Sequence, residues 1–407
     1  MTDGGPADGR RSDGPVEDGE RSNTPADGRL PSVCVVTHPL GAAGENATRT
    51  LLEILAAITR VSLVTADLPD DSVVRDRHEV IELSDRGPGE SIPRAAVGFA
   101  RNQVRMCRAI ARRDDEVVLF FGATAYLLPI LFARAIGRTV VLEPRGNVPL
   151  TLRLGWERRL PSPVARGLAG VVWSLERVGY WAADAIITYT PSMARELGLE
   201  RFEGKLYPNG ARYVDTDRFA PRIPFEERDE VVGFLGRLDE EKNVRLLAQV
   251  AKELPDGVTF RFVGDGPLRG ELERTLADEV AAGRVEFTGW VEHDRVPAEL
   301  SQLRLLVLPS EPTEGLPTVI LESMACGTPV LASPVSGVPD VVQDGKTGYL
   351  LTDEGPSDIA ASVSAILNRP DSEDVSRASR KTIRETFDFT AATERYWKIL
   401  KAITSEG

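Results

Sequence analysis

The sequence has little cysteine and no cysteine motif. Cys34, Cys107 and Cys326 are its three cysteines; they are far apart in the chain and form no Cys-x-x-Cys pair. Neither a disulfide framework nor a zinc knuckle is therefore expected. A reducing compartment suits such a chain, and we expect a cytoplasmic protein.

Long unbroken apolar runs are also absent. The best candidate for a membrane-spanning helix is residues 117–136, but this segment contains Gly122, Thr124 and Pro129. A spanning helix needs about 20 consecutive apolar residues. The segment instead predicts a strand, a turn and a helix.

Positive charge is scarce relative to negative charge. The net charge is −13, and only seven of the 49 basic residues are lysine. Because contacts to phosphate backbones need a basic face, this balance argues against a general nucleic-acid-binding function. The chain has 407 residues, of which 42% are hydrophobic. That length exceeds the size at which one core keeps growing, so two domains are expected.

The first thirty residues contain almost no apolar side chains. They repeat Asp-Gly and Pro and carry no basic region followed by an apolar one. Such a segment cannot bury enough surface to order itself, so residues 1–30 are predicted to be a disordered acidic tail. The pattern also argues against a signal peptide.

Beyond the tail, short β-branched runs alternate with longer amphipathic segments in two series. This alternation predicts an α/β fold with two doubly wound, Rossmann-like domains that face each other across a central cleft. We place the domains at 31–212 and 213–387, with a Pro- and charge-rich seam at 207–230. The predicted strands are 32–38, 60–66, 116–122, 138–144 and 184–190, then 230–236, 258–264, 284–289, 304–310, 328–333 and 347–351.

Two carboxylates bracket a turn in "EPTEGLPTVILESMACGTPV", residues 311–330. The preceding strand predicts that Glu314 lies in a loop at the cleft, and that a helix runs over 318–325 with Pro317 at its start. Glu322 then lies about one turn into the helix. A helix N-terminus attracts anions and a carboxylate accepts hydrogen bonds from hydroxyls, so the pair suits a ligand with phosphate and sugar. The alternative is that Glu314 merely caps the helix and that Glu322 is a surface residue.

Two cations follow another strand of the second series. In "GFLGRLDEEKN", Arg237 comes directly after Gly236, and Lys242 lies at the start of the next helix. Two cations in one loop at this edge of the sheet suit a departing diphosphate; the alternative is a solvated charged loop. Gly264 follows the next strand and allows close approach of backbone to a ligand, or simply forms a tight turn.

These motifs, taken in order, resemble those of glycosyltransferase family 4, which are retaining nucleotide-sugar transferases with the GT-B fold. The resemblance rests on "GFLGRLDEEKN", "FVGDGPLRGELE", "VEFTGWV", "LPSEPTEGLPTVILESMACGTPVLAS" and "GVPDVVQDGKTGYLL", and covers nearly all of residues 228–387. It implies a transferase that moves a sugar from a nucleoside-diphosphate donor to a hydroxyl of a glycan or lipid-linked acceptor. Residues 388–407 resemble the family's final helix, which crosses back to the N-terminal domain.

The resemblance also implies roles for the residues of the second domain. Glu322 would bind the ribose hydroxyls of the donor. Glu314 would contact the donor sugar together with the backbone of Gly315 and Leu316, beside Pro317. The carboxylates and the loop thus become the donor site.

The first domain matches the family more loosely and would be the acceptor side. Gly41 and Gly44 resemble the glycines of its first loop, close to the phosphates or the acceptor. Many members carry a histidine after a middle strand, but this strand ends at 121–122 with Phe-Gly. His38 is a candidate in its place, and Arg145, in a Pro-Arg-Gly shared with some members, is a candidate phosphate or acceptor contact.

The family's chemistry needs neither a metal nor a cofactor. Arg237 and Lys242 would stabilise charge on the departing diphosphate while the acceptor hydroxyl enters on the same face. An Asp-x-Asp pair, Asp215 and Asp217, occurs in the seam, where we expect no metal site. Two other functions remain open: a nucleotide-sugar epimerase with the same architecture, and a catalytically silent sugar-binding subunit.

A membrane surface is a further candidate partner. Between residues 145 and 177 the chain carries six arginines and two glutamates, interleaved with leucine, valine and tryptophan. Such a segment can lie on an anionic membrane. The alternative is a helix pair whose apolar side packs on the sheet. The first interpretation predicts a peripheral enzyme at the inner face of the membrane.

Overall fold

The computed structural model describes residues 30–38, 42–69, 72–83, 92–210, 212–310, 315–352 and 355–405. Residues 1–29 of the predicted tail lie outside the described residues. The same holds for two predicted site residues, Gly41 and Glu314.

The first domain is built on a seven-stranded parallel sheet. Its strands are β1 (Val33–Thr37), β2 (Val61–Thr65), β3 (Glu79–Glu82), β4 (Val117–Phe121), β5 (Thr139–Glu143), β6 (Ala185–Ile187) and β7 (Leu206–Tyr207). They pair in the order β3-β2-β1-β4-β5-β6-β7. The central strands are buried along their whole length, as expected for a parallel sheet covered on both faces.

Helices connect these strands and cover the sheet. They are α1 (Ala42–Ala56), α2 (Val74–Arg77), α3 (Ile92–Ala111), α4 (Leu127–Ala135), α5 (Val148–Glu157), α6 (Ser162–Ala182) and α7 (Pro191–Glu196). The segment 117–136 is divided between β4 and α4 by a turn in which Gly122 has a φ of +66°. Within the described ranges, no helix combines the length and the apolar character needed to span a membrane.

The second domain repeats this architecture with six parallel strands. They are β8 (Val231–Leu235), β9 (Thr259–Val263), β10 (Val285–Gly289), β11 (Leu305–Leu308), β12 (Val330–Ala332) and β13 (Tyr349–Leu350). Their order is β10-β9-β8-β11-β12-β13. The helices are α8 (Val244–Glu253), α9 (Arg269–Thr275), α10 (Ala277–Ala281), α11 (Val296–Leu300), α12 (Thr318–Ala325), α13 (Val338–Val341), α14 (Pro356–Leu367), α15 (Ser372–Thr386) and α16 (Phe389–Ser405).

The predicted α/β fold with two doubly wound domains is confirmed, and every predicted strand is present within a few residues. The sequence did not predict β3 and β7. β3 is a sheet-edge strand, Glu-Val-Ile-Glu, with no fully buried residue, so its apolar signal is weak. β7 has two residues and runs directly into the Pro-Asn-Gly of the seam.

The last helix returns to the first domain. α16 packs against α1, and the Tyr396 hydroxyl donates to Oε2 of the Glu143 carboxyl group at the end of β5, at 2.5 Å. The Tyr213 ring packs edge-on against Phe389, with ring centroids 5.0 Å apart. The two domains are thus joined by both the seam and this helix.

Candidate active site

The carboxyl ends of the two sheets meet at the interface between the domains. Ser192, in the first turn of α7, donates its backbone N–H and its hydroxyl to Asp340 of α13, at 2.8 and 2.9 Å. The N–H of Ser336 donates to the Glu196 carboxylate at 2.6 Å. Doubly wound domains bind ligands at this edge, so a ligand shared by the sheets lies between the domains.

Two glycines, Gly236 and Gly264, make backbone hydrogen bonds at this edge of the second sheet. The N–H of Gly264 donates to the carbonyl of Gly289 at 2.9 Å, and that of Gly236 to Val263 at 3.0 Å. Gly264 has a φ of +132°, and a Cβ there would lie 2.0 Å from the Gly236 oxygen. Packing alone therefore requires glycine at 264, and its contact with a ligand stays a prediction.

Arg237 and Lys242 follow β8 in one loop. Arg237 is 65% exposed, and its guanidinium contacts the Asp239 carboxylate and lies 3.6 Å from that of Glu241. Asp239 also accepts the backbone N–H of Lys242 at 3.2 Å, at the end of the 3₁₀ turn before α8. A diphosphate bound here has to replace carboxylates as the partner of Arg237.

Helix α12 has the bounds that the sequence predicted, with Pro317 immediately before its first residue. Glu322 is 7% exposed, which excludes the alternative of a surface residue. Its Oε1 lies 3.1 Å from Nε2 of His293. His293 lies in the loop after β10 and was not singled out from the sequence. Its position just past a predicted strand, at the same sheet edge, was the available signal.

Gly315 lies at a contact between the two domains. Its N–H donates to the carbonyl of Arg145 at 2.9 Å, and its carbonyl accepts the N–H of Gly337 at 2.7 Å. A Cβ at Gly315 would lie 2.7 Å from the Arg145 oxygen and 2.9 Å from the sulfur of Met193. Leu316 beside it is 1% exposed. Both backbone groups of Gly315 are thus engaged within the protein.

A cavity of about 590 Å³ opens beside this junction. His38 and Arg145 line it from the first domain, and residues 315–317 from the second. The structure therefore brings together the candidate acceptor residues and the donor loop. Arg237, Lys242 and Glu322 are not among its described lining residues.

The first-domain wall of the cavity is formed around the end of β4. Gly122 has the left-handed conformation, and a Cβ there would lie 2.8 Å from Cδ of Arg145 and 3.5 Å from Nε2 of His38. The Arg145 guanidinium carbon lies 5.3 Å from the centroid of the Phe121 ring. Arg145 and His38 thus surround the strand end at which the family's histidine is missing.

Arg212 is a cavity residue that the sequence analysis missed. Its guanidinium lies over the Tyr189 ring, 4.6 Å from the centroid, and donates to the hydroxyl of Thr318 at 2.6 Å. Arg212 belongs to the irregular seam, where no periodicity predicts direction. Only the tertiary structure brings it to the start of α12.

A buried carboxyl group lies next to this wall. Glu143 is 0% exposed, at the end of β5, and accepts the Tyr396 hydroxyl. Burial raises the pKa of Glu143 to about 8, although the Tyr396 hydrogen bond and the charges of Arg212 and Arg145 lower it. Glu143 is therefore mostly protonated at neutral pH.

The Asp-x-Asp pair forms a turn. Oδ1 of Asp215 accepts the backbone N–H groups of Asp217 and Arg218, each at 3.1 Å. Among the described residues, no three His, Cys, Asp or Glu side chains are grouped as metal ligands would be.

Comparison with known proteins places this architecture in a class. The structure of Anabaena Alr3699/HepE in complex with UDP is similar to 91% of this chain and 99% of its own, with a TM-score of 0.69 and 16% identity. Such a likeness shows the fold, which is that of the GT-B glycosyltransferases.

Sequence comparison then gives the family. The profile described as "Glycosyl transferases group 1" matches residues 229–369. A GDP-mannose-dependent alpha-(1-6)-phosphatidylinositol monomannoside mannosyltransferase of Mycolicibacterium smegmatis is 32% identical over 292 residues, 65% of this chain and 71% of its own. The chain belongs to the group 1 glycosyltransferase family. A sulfoquinovosyl transferase of Arabidopsis thaliana is 26% identical over 72% of this chain, which spans 57% of that relative's length.

Proposed function

We propose that this glycosyltransferase is a retaining, metal-independent hexosyltransferase. It transfers a sugar from a nucleoside-diphosphate donor to a hydroxyl of a glycan or lipid-linked acceptor. The observation that carries the proposal is the junction at Gly315, where the loop before α12 meets Arg145 at a cavity of about 590 Å³. A donor sugar at the loop and an acceptor on the first-domain side would meet in this cavity.

The second-domain residues would bind and activate the donor. Arg237 and Lys242 stabilise the charge that develops on the departing diphosphate. Glu322, held beside His293, accepts hydrogen bonds from the ribose hydroxyls. Glu314 contacts the sugar. Because the backbone groups of Gly315 already bond within the protein, a contact between its N–H and the donor needs those bonds to be exchanged.

Related proteins support the donor class and the stereochemistry. The name of the Mycolicibacterium smegmatis relative specifies GDP-mannose, an alpha linkage and a phosphatidylinositol-based acceptor, and the Anabaena structure contains UDP. An alpha product from an alpha-linked donor is the outcome of retention. The donor base of this chain is therefore uracil or guanine in our proposal.

Incubation with labelled UDP- and GDP-sugars and candidate acceptors tests the function. Label transferred to an acceptor supports the proposal, with the anomeric configuration read by NMR. An epimerised donor would establish the epimerase instead, and an unchanged donor in every combination the silent subunit. A chelator should leave the rate unaltered; a loss of rate that manganese restores would contradict the metal-free mechanism.

We also propose a peripheral association with anionic membranes, through the exposed side of α6. On this helix Trp181 is 75% exposed, Val171 59% and Trp173 46%. Two arginines of the series at 145–177 have other contacts: Arg145 lines the cavity, and Arg158 lies 3.5 Å from Glu240. The apolar residues of α6, rather than the whole arginine series, would contact lipid.

Flotation with anionic liposomes tests this association. Arg159, which precedes α6, and Arg166, in its N-terminal half, are exposed, and each basic residue near the headgroups contributes about 1 kcal/mol. Binding should weaken in an Arg159→Glu/Arg166→Glu variant and in Trp181→Ser. No binding of the parent at low salt would leave a soluble acceptor as the better proposal.

A further inference from the structure

The cavity between the domains has a positively charged wall in an acidic protein. Its described lining residues include Arg145 and Arg212 and no aspartate or glutamate, although the chain has a net charge of −13. Phe99, Val148 and Leu152 supply an apolar side. Among the described residues, a ligand in this space therefore meets two arginines on the first-domain side and hydrocarbon on another.

Arg212 lines this space and is held in place by neutral groups. Its contacts with Thr318 and Tyr189 are to a neutral hydroxyl and a neutral ring. These two contacts hold the guanidinium at the start of α12. A guanidinium held in this way is a good partner for a planar or tetrahedral anion.

The carboxyl group behind this wall does not neutralise it at neutral pH. Glu143 is fully buried, and its Oε2 accepts the Tyr396 hydroxyl. Because burial raises the pKa of Glu143 to about 8, most of its population is uncharged at pH 7. Glu143 therefore offsets little of the positive charge of Arg212 at this pH.

We infer that Arg212, together with Arg145, forms an anion-binding subsite on the first-domain wall of the cavity, separate from the diphosphate site at Arg237 and Lys242. It takes a phosphate, carboxylate or sulfonate group carried by the acceptor or by the transferred sugar. The inference rests on the proposed transferase function, because it assigns the chemistry of a substrate of that reaction.

Calorimetric titration of the full-length protein tests the subsite. UDP or GDP is titrated first, which tests the donor site on its own. The nucleotide-saturated protein is then titrated with sn-glycerol 3-phosphate, with glycerol as the neutral probe. Arg212→Gln should weaken the binding of sn-glycerol 3-phosphate roughly tenfold or more. It should leave the affinity for the nucleotide within twofold of the parent and the binding of glycerol unchanged.

Two further variants control for structure. Arg218→Gln removes an exposed arginine from the same segment, outside the cavity, and should bind the probe like the parent. Arg212→Lys retains the charge and should recover part of the affinity. Thermal unfolding of each variant checks that the fold is retained.

A second pair of titrations identifies the carrier of the anion. Nucleotide-linked glucuronate and glucose differ only at C6, which is a carboxylate in the first and a hydroxymethyl group in the second. If Arg212→Gln weakens the glucuronate compound alone, the anion belongs to the transferred sugar. If it weakens only sn-glycerol 3-phosphate, the anion belongs to the acceptor.

Other results would overturn the subsite. Equal affinity of the parent and Arg212→Gln for both anionic probes would refute it. The subsite would also be refuted if Arg212→Gln lost as much affinity for UDP or GDP as for sn-glycerol 3-phosphate, because Arg212 would then belong to the diphosphate site. If neither nucleotide binds, the proposed function fails, and titration of the nucleotide-free protein with sn-glycerol 3-phosphate still decides the subsite.

Discussion

The two sheet edges that meet at the cavity are organised differently. On the second-domain side, the candidate residues lie within a few positions of a strand end or a helix start, as Arg237 and Glu322 do. On the first-domain side, His38, Arg145 and Arg212 come from segments far apart in the chain. One site is encoded locally, and the other is assembled by tertiary structure.

The groups that contact the arginines also differ between the two edges. The loop after β8 places Arg237 against Asp239 and Glu241, so a ligand competes with carboxylates for it. At Arg212 the contacts are a hydroxyl and a ring. A strong anion such as a diphosphate suits the first arrangement, because it can outcompete a carboxylate, whereas a single phosphate, carboxylate or sulfonate group suits the second.

The largest effect should come from the second-domain side. In our proposal Lys242 lies beside the departing diphosphate, so Lys242→Ala should lower kcat/KM for transfer about 10²- to 10³-fold. The unfolding temperature should hardly change, since Lys242 is only half-buried, at the end of a short 3₁₀ turn outside the core. Steady-state kinetics and thermal unfolding measure both effects.

Lys252→Ala is the matched control, because Lys252 is exposed on the same domain, in the last turn of α8. It should transfer sugar at the parent rate. Activity of Lys242→Ala within a few-fold of the parent would remove Lys242 from the diphosphate site.

A substitution at the junction tests whether the two edges depend on each other. Gly315→Ala places a methyl group 2.7 Å from the Arg145 carbonyl oxygen, so backbone has to move. We expect a loss of about 1–3 kcal/mol in the free energy of unfolding, together with reduced transfer. Urea denaturation measures the loss.

Gly167→Ala on α6 is the control, since a Cβ there meets no atom within 4 Å. It should be neutral or stabilising by about 0.5–1 kcal/mol. Equal stability of Gly315→Ala and the parent would mean that the domains do not pack at Gly315 as described.

The difference between the edges also decides what sequence reasoning could predict. The bounds of α12 and the second-domain strands follow from local signals, such as Pro317 before a helix and β-branched runs ending at glycine. Arg212 and the Glu143–Tyr396 pair could not be predicted in this way. Their partners lie 106 and 253 residues away, and no local period records such contacts.

A smaller effect is expected at Glu322. Glu322→Ala should raise the donor KM about tenfold and change kcat less, because ribose contacts are the same in the ground and transition states. His293→Gln changes the histidine that contacts Glu322 and should also raise the donor KM, by a smaller factor. A collapse of kcat with unchanged donor affinity would contradict the ribose role.

The last effect is on the pH dependence of stability and concerns the buried wall behind the first-domain edge. In the folded protein Glu143 keeps its proton up to its pKa of about 8, whereas an ordinary glutamate loses it near about pH 4.3 when unfolded. Between these values the folded state binds more protons, so the free energy of unfolding falls as pH rises, by at most about 1.4 kcal/mol per unit. Glu176, whose pKa burial raises to about 7, adds a slope of the same sign.

Urea denaturation between pH 5 and 8 should therefore show a shallower slope of unfolding free energy against pH for Glu143→Gln than for the parent, with the Glu176 contribution unchanged. Identical slopes would mean that Glu143 is ionised in the folded protein and neutralises Arg212.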